Sequence, residues 1–265
     1  MYIDFHTHAF PDAIAERAVS RLSREGGALP HHTNGTYRDL ERAADEAGLS
    51  YYVVLPIAVK PSQMRTVNDA ALAHHGGKVI HFASIHPMAP DVFDEIKRIC
   101  DLGFKGVKMH PEYQAFFVDD ENLFPVYEAL SKAELITVFH AGYDLGFFGP
   151  AKAAPHRLKK ALPFFSGMPV VAAHMGGFAD WMNVCEHLIG FPGLYLDTSF
   201  SHLHLPPKAA TEIIKAHGTS HILFASDSPW ADINSEKAYI EALSFSNEEK
   251  RRIFYDNAAK LLKLT

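Results

Sequence analysis

The sequence predicts an α/β protein built as a single (β/α)8 TIM barrel with an extra C-terminal helix. Two observations carry this. A short apolar strand followed by an amphipathic helix recurs eight times in 265 residues, and His and Asp side chains fall at the strand ends. Alternating strands and helices imply parallel strands joined by right-handed crossovers, and eight such units in about 250 residues is the size of a closed barrel. An open, doubly wound sheet would bring a glycine-rich loop after its first strand, where this chain reads His6-Thr7-His8-Ala9-Phe10. No linker-like stretch divides the chain, so residues 1–265 are read as one domain.

The elements follow in order. Tyr2 to His8 is the first strand, with helices from Asp12 to about Arg24 and from Tyr37 to Ala47. Strands at Tyr51–Ala58, Val79–Ile85, Lys105–His110 and Leu135–His140 each lead into a helix, at about Met64–His75, Asp91–Leu102, Glu121–Ala133 and His156–Phe165. The last three strands are Val170–His174, Leu194–Thr198 and His221–Ser226. Their helices lie at about Asp180–Leu188, at Pro207–His217 and at Ser235–Leu243, and Asn247–Leu262 ends the chain.

Composition narrows the function classes. A net charge of −6 without a Lys/Arg block argues against a nucleic-acid surface. The apolar runs are too short for a membrane span, and residues 1–8 lack a signal-peptide pattern. Two cysteines in helical patterns, Cys100 and Cys185, read as reduced core thiols, which places the protein in the cytoplasm. A small-molecule substrate is the expected partner, and a homodimer is compatible with the sequence.

Seventeen histidines draw attention to a site. Side chains alternate along a strand, so Asp4, His6 and His8 are expected on one face, with Asp4 one layer deeper. The same rule puts Ile136 and Val138 with His140, Val170 and Ala172 with His174, and His221, Leu223 and Ala225 with Asp227. Two imidazoles at i and i+2 suit chelation. Together with His140 and Asp227 they offer nitrogen and oxygen donors without thiolate, a set that suits one divalent metal ion, Zn²⁺ first, with Mn²⁺, Fe²⁺, Co²⁺ or Ni²⁺ also accommodated.

Several segments resemble the amidohydrolase-related branch of the amidohydrolase superfamily, metal-dependent barrel hydrolases and decarboxylases that include the aminocarboxymuconate-semialdehyde decarboxylase type. They are Ile3-Asp4-Phe5-His6-Thr7-His8, Gly103 to Pro111, Phe139-His140-Ala141-Gly142, Ala173-His174-Met175-Gly176-Gly177, Leu196-Asp197-Thr198-Ser199, Phe224 to Trp230 and Asn257 to Leu262. Ala225 stands where that branch more often has Gly. The resemblance implies that His6, His8, His140 and Asp227 bind one metal and that His174 is a catalytic residue beside it. Asp227 would then move a proton as well as bind, while His174 would donate to a developing oxyanion or hold a water.

Lys108 and His110 share an inward face on the fourth strand. They are expected to contact substrate, Lys108 as a cation for an anionic group, and a structural role competes for both. In some superfamily members a lysine here is carboxylated and bridges two metals. Trp230, Tyr143, Phe147 and Phe148 lie on loops at the mouth and either wall a pocket or cover the rim, with Trp230 the substrate-contact candidate. His202 and His204 read as a loop feature, His31-His32 and His74-His75 as solvated pairs, and Gly176-Gly177 as a close backbone approach behind His174.

The leading expectation is a metal-dependent hydrolase using a metal-activated water on a small amide, lactone or ester-like substrate. The alternative is a metal-dependent non-oxidative decarboxylase of an unsaturated or aromatic carboxylic acid. The compactness of the chain leans toward hydrolysis, since the characterised decarboxylases look longer. A phosphoesterase that opens with His-x-His needs a further ligand that Ala9 to Asp12 do not supply. A barrel that binds without catalysis is disfavoured by the complete ligand set.

Overall fold

The structure is a computed structural model, and it describes residues 1–264. The chain runs β1 (Ile3–Thr7), α1 (Asp12–Glu25), α2 (Tyr37–Glu46), β2 (Tyr51–Val54), α3 (Met64–Leu72), β3 (Val79–His81), β4 (Ala83–Ser84), α4 (Val92–Asp101), β5 (Gly106–Met109) and α5 (Pro111–Gln114). It continues through α6 (Phe124–Lys132), β6 (Ile136–Phe139), α7 (Pro155–Ala161), β7 (Val170–Ala172), α8 (Trp181–His187), β8 (Leu194–Asp197), α9 (Pro207–His217), β9 (Ile222–Leu223), α10 (Ile233–Ala242), α11 (Asn247–Arg251) and α12 (Asn257–Leu261). Residues between α11 and α12 wind as a π-helix, and the short α5 was not anticipated.

All paired strands are parallel, in the orders β1-β2-β3 and β4-β5-β6-β7-β8-β9. Only Phe82 separates β3 from β4, and its N–H donates to the Val54 carbonyl at 3.2 Å, so the two form the single third strand that the sequence predicts. Backbone bonds from Phe5 N to Phe224 O (2.9 Å), Asp227 N to His6 O (2.8 Å) and His8 N to Ser228 O (2.6 Å) join the last strand to the first. The fold is a (β/α)8 barrel.

Two apolar layers hold it together by burial. Inside, Ile3, Phe5, Val53, Leu55, Phe82, Val138, Val171, Leu223 and Ala225 cluster with Ala258, Ala259 and Leu262, so the C-terminal helix packs against the barrel's interior residues. Outside, Val54, Val107, Met109, Phe139, Ala172 and Leu196 pack under helix residues such as Leu40, Ile96, Leu130 and Ile213. Gly106 is required in the interior layer. A Cβ there would stand 2.4 Å from both the Phe82 ring and the Ile136 carbonyl. The helices meet the strands through apolar stripes and local caps, Thr36 accepting from Asp39 N and Ser246 forming a capping box with Glu249.

Three sequence expectations need correction. Pairing slips between Asp4 and Thr7, so alternation does not run unbroken along β1: Ile3 and Phe5 join the interior cluster, and His6 and His8 still converge beyond the slip. On β7 the face is inverted, with Val171 inside and Val170 and Ala172 under the helices. His174 nonetheless reaches the site because the chain leaves the extended conformation there, at φ 57. Cys100 and Cys185 are exposed rather than core residues, since each sits on the outward side of its helix.

Candidate metal centre

The ends of β1 and β9 bring the first three donors together. His6 Nε2 lies 3.2 Å from His8 Nε2, and Asp227 Oδ1 stands 3.4 Å and 3.1 Å from those two atoms. His6, His8 and Asp227 thus form a group whose ligand atoms lie within 4.8 Å of one another. Asp227 takes φ 72 at the end of its strand, a conformation uncommon outside glycine that tends to persist where the surroundings enforce it.

Hydrogen bonding fixes which nitrogens are free. His6 Nδ1 is bound by Asp197 Oδ2 at 2.9 Å and His8 Nδ1 by the Leu55 carbonyl at 2.8 Å. A carbonyl and a carboxylate accept, so both Nδ1 atoms carry the proton and both Nε2 lone pairs face each other beside a carboxylate oxygen. Burial, reinforced by Lys108 and the neighbouring histidines, keeps the His6 pKa well below its ordinary value, so the ring is neutral. Three converging lone pairs are what a divalent cation accommodates, and the residues present fit one. The positive group the chain itself brings there is Lys108, whose Nζ lies 3.1 Å from His6 Nε2.

His140 stands outside that group. Its Nδ1 contacts His174 Nε2 at 3.0 Å, its Nε2 faces the Tyr143 carbonyl at 3.1 Å, and its ring stacks on His110 with centroids 4.2 Å apart. It belongs to a second potential donor group with His110 and Asp144. His174 is buried and held between His140 and Ser199, whose Oγ lies 2.9 Å from His174 Nδ1. Burial, with His140 and His6 adding to it, pulls the His174 pKa well down. Asp4 is a core carboxylate: it accepts from His6 N and Ser226 N, and burial raises its pKa to about 7.

Two residues at the end of β8 matter more than the sequence reading allowed. Asp197 holds His6 through one oxygen, and through the other it accepts from His174 N at 2.9 Å and from Ser199 N at 3.1 Å. Ser199 Oγ links Asp197 to His174. Both were visible in the Leu196-to-Ser199 motif without an assigned role. Alternation from Tyr195, an interior residue, would have pointed Asp197 inward too. Asp144 comes from a loop, where no periodicity marks it.

The remaining candidates divide. Lys108, His110, Trp230 and Tyr143 line a cavity of about 540 Å³ that opens from the donor group. Phe147 packs on Tyr113 instead, and Phe148 is fully exposed. His204 stacks on Phe200, while His202 is held through its backbone by Glu236. The pairs His31-His32 and His74-His75 are exposed, and His74 also stacks on Tyr37. Gly142 is needed for close approach: a Cβ there would lie 2.2 Å from Phe178 N.

Buried, mutually hydrogen-bonded His, Asp and Lys side chains at the strand ends of a (β/α)8 barrel define a barrel enzyme. The chain belongs to the amidohydrolase family, whose model matches residues 3–264. Among curated proteins no sequence match is found. Similar solved structures include 5-carboxyvanillate decarboxylase from Sphingomonas paucimobilis, with TM-score 0.75, 15% identity and 100% and 99% of the two chains covered. A 2,6-dihydroxybenzoate decarboxylase from Rhizobium gives 0.70 and 17% over 99% and 98%. A dihydroxybenzoic acid decarboxylase from Polaromonas with bound manganese and the inhibitor 2-nitroresorcinol gives 0.70 and 16% over 99% and 97%. Among the described residues no helix is long and apolar enough to cross a membrane.

Proposed function

We propose that the chain is a metal-dependent, non-oxidative decarboxylase of an aromatic or unsaturated carboxylic acid. The observation that carries this reading is Lys108, a cation buried beside the donor group at the inner end of a largely apolar cavity. Burial lowers its pKa to about 8, against the pull of Asp197, Asp227 and Asp144. A buried cation in that place suits a substrate carboxylate. The similarity to decarboxylases supports the same reading. Those matches span nearly the whole of both chains, so compactness gives no reason to prefer hydrolysis.

His6, His8 and Asp227 would hold the ion, with His140 as a fourth donor once its ring turns from the Tyr143 carbonyl. Zn²⁺ and Mn²⁺ both suit this donor set. When bound, the metal supplies a Lewis acid that fixes an anionic oxygen of the substrate. Lys108 and His110 orient the acid, Trp230 walls it, and neutral His174 hydrogen-bonds a substrate oxygen from its seat on Ser199. The bond from carbon to the carboxylate breaks, its electron pair stays on the substrate carbon, and CO2 leaves. That carbon takes up H⁺ from water, relayed by the Asp227 oxygen that is not engaged in holding the ion.

Hydrolysis of an amide, lactone or ester-like compound is the second reading, favoured by the family's amidohydrolase description. There Asp227 would act first as a base. The test is to purify the protein, measure its metal content, and screen aromatic and unsaturated acids alongside lactones and amides while recording CO2. Metal-dependent CO2 release supports decarboxylation. Turnover of lactones or amides without CO2 overturns it.

A further inference from the structure

The cavity does not end above the donor group. It continues outward between α1 and α3, walled by Ala18 and Leu22 on one side, Val67 and Ala70 on the other, and Ile57 and Val59 between them. The histidines, Lys108, Asp144 and Asp227 gather at the inner end, while the outer lining is mainly aliphatic with Tyr37, Ser62, Gln63 and Thr66 among it. Farther out the charged lining side chain is Arg21, and its guanidinium is already paired with Glu25 at 2.8 Å. The sequence accounts for this channel: α1 and α3 turn small or aliphatic residues toward the cavity at helical spacing, Ile14, Ala18 and Leu22 on the first and Val67 and Ala70 on the second.

Volume sharpens the point. A cavity of roughly 150 Å³ is enough to hold a benzene molecule, so an acid built on one substituted ring leaves most of 540 Å³ unfilled. The whole is in the range that encloses drug-sized ligands, about 300–1,000 Å³.

We propose that the substrate carries, beyond its reacting carboxylate or carbonyl, an extended uncharged apolar substituent, an alkyl chain or a second aryl group, that lies in the α1–α3 channel. This rests on the reading that the chemistry occurs at His6, His8 and Asp227, and it adds the class of compound delivered there. A charged tail is disfavoured because the channel offers it no free partner. Ser62, Gln63 and Thr66 add a few polar groups beside Val67 and Ala70, but most of the lining is apolar, so a wholly polar tail would leave most of its hydrogen-bonding groups unpaired. Continuity of the channel with the donor group makes the substrate itself the occupant.

Two calorimetric titrations of the purified, metal-loaded protein test this, neither relying on turnover. The first uses straight-chain carboxylates from butanoate to dodecanoate, and the second uses the alcohols butanol and octanol, which lack the acid group. Affinity for the acids should rise about fourfold per methylene until the channel is filled, which is the apolar transfer of one CH2. Octanol should bind more tightly than butanol. Val67→Trp, and independently Ala18→Trp in case one variant fails to fold, should flatten both length dependences. Equal affinity across the acids, with no preference for octanol, overturns the proposal, as does a length dependence that survives in folded forms of both variants. If octanol binds in a Val67-dependent way while acids of every length fail to bind, the channel stands and the placement of acid chemistry at the donor group falls.

Discussion

The Nδ1 of His6 and the Oδ2 of Asp197 lie 2.9 Å apart, both fully buried, and this bond decides which nitrogen His6 presents to the cavity. Asp197→Asn is therefore expected to weaken metal affinity about 10- to 100-fold, the usual cost of losing the hydrogen-bond partner of a ligating histidine. Competitive titration with a chromogenic chelator reads it. Because Asp197 also anchors His174 and Ser199, turnover should fall further than metal loss alone accounts for.

His6→Ala and His8→Ala should lose both bound metal and activity, as measured by atomic emission alongside CO2 release. His140→Ala is the informative case, since its ring lies with His110 and Asp144 rather than with the triad. Metal loss in that variant supports the proposed turn toward the triad, and unchanged metal content rejects it.

His174→Ala should keep its metal and lose activity by about 10²- to 10⁴-fold, the range for a positioned proton-handling group. Ser199→Ala should give a smaller loss, because it removes the contact that holds His174 Nδ1 rather than the ring itself. A His174→Ala protein with full turnover would remove that residue from the mechanism.

Glu236 gives stability a pH dependence. Burial raises its carboxyl pKa to about 8, although Ser201 and His202 donate backbone N–H groups to it. Between the ordinary carboxylate range and pH 8 the folded chain holds a proton that the unfolded chain has released. This group's contribution is thus complete below about pH 4 and disappears as pH rises through 8, at up to about 1.4 kcal/mol per pH unit. Urea denaturation from pH 5 to 8 should show a shallower decline in Glu236→Gln than in the parent.

Gly106→Ala should destabilise the barrel by about 1–3 kcal/mol or more, because its methyl would overlap the Phe82 ring and the Ile136 carbonyl. Gly106→Ala with Phe82→Leu should recover part of that loss in thermal unfolding. No recovery would assign the cost to the backbone contact instead.

The barrel was legible because its determinants are local and repeated. Apolar strands and amphipathic helices write their period into the chain, as Ile136 and Val138 show by both falling in the interior cluster as expected. The convergence of His6, His8 and Asp227 was also readable, since strand ends in this architecture meet at one mouth. Alternation misled only where the backbone leaves the ideal strand: at the slip in β1 and at the turned residue His174. It has no power over loops, which is why Asp144 went unseen.

What the sequence determined by itself is the scaffold and the polar residue types carried at its strand ends, because residue type and periodicity are properties of the chain. Only the tertiary structure decided which partner each ring nitrogen takes, that His140 lies beside His110, and that α1 and α3 both contribute side chains to the cavity at the donor group. Those relations join segments far apart in the chain, and packing and hydrogen-bond competition in three dimensions, not local propensity, set them.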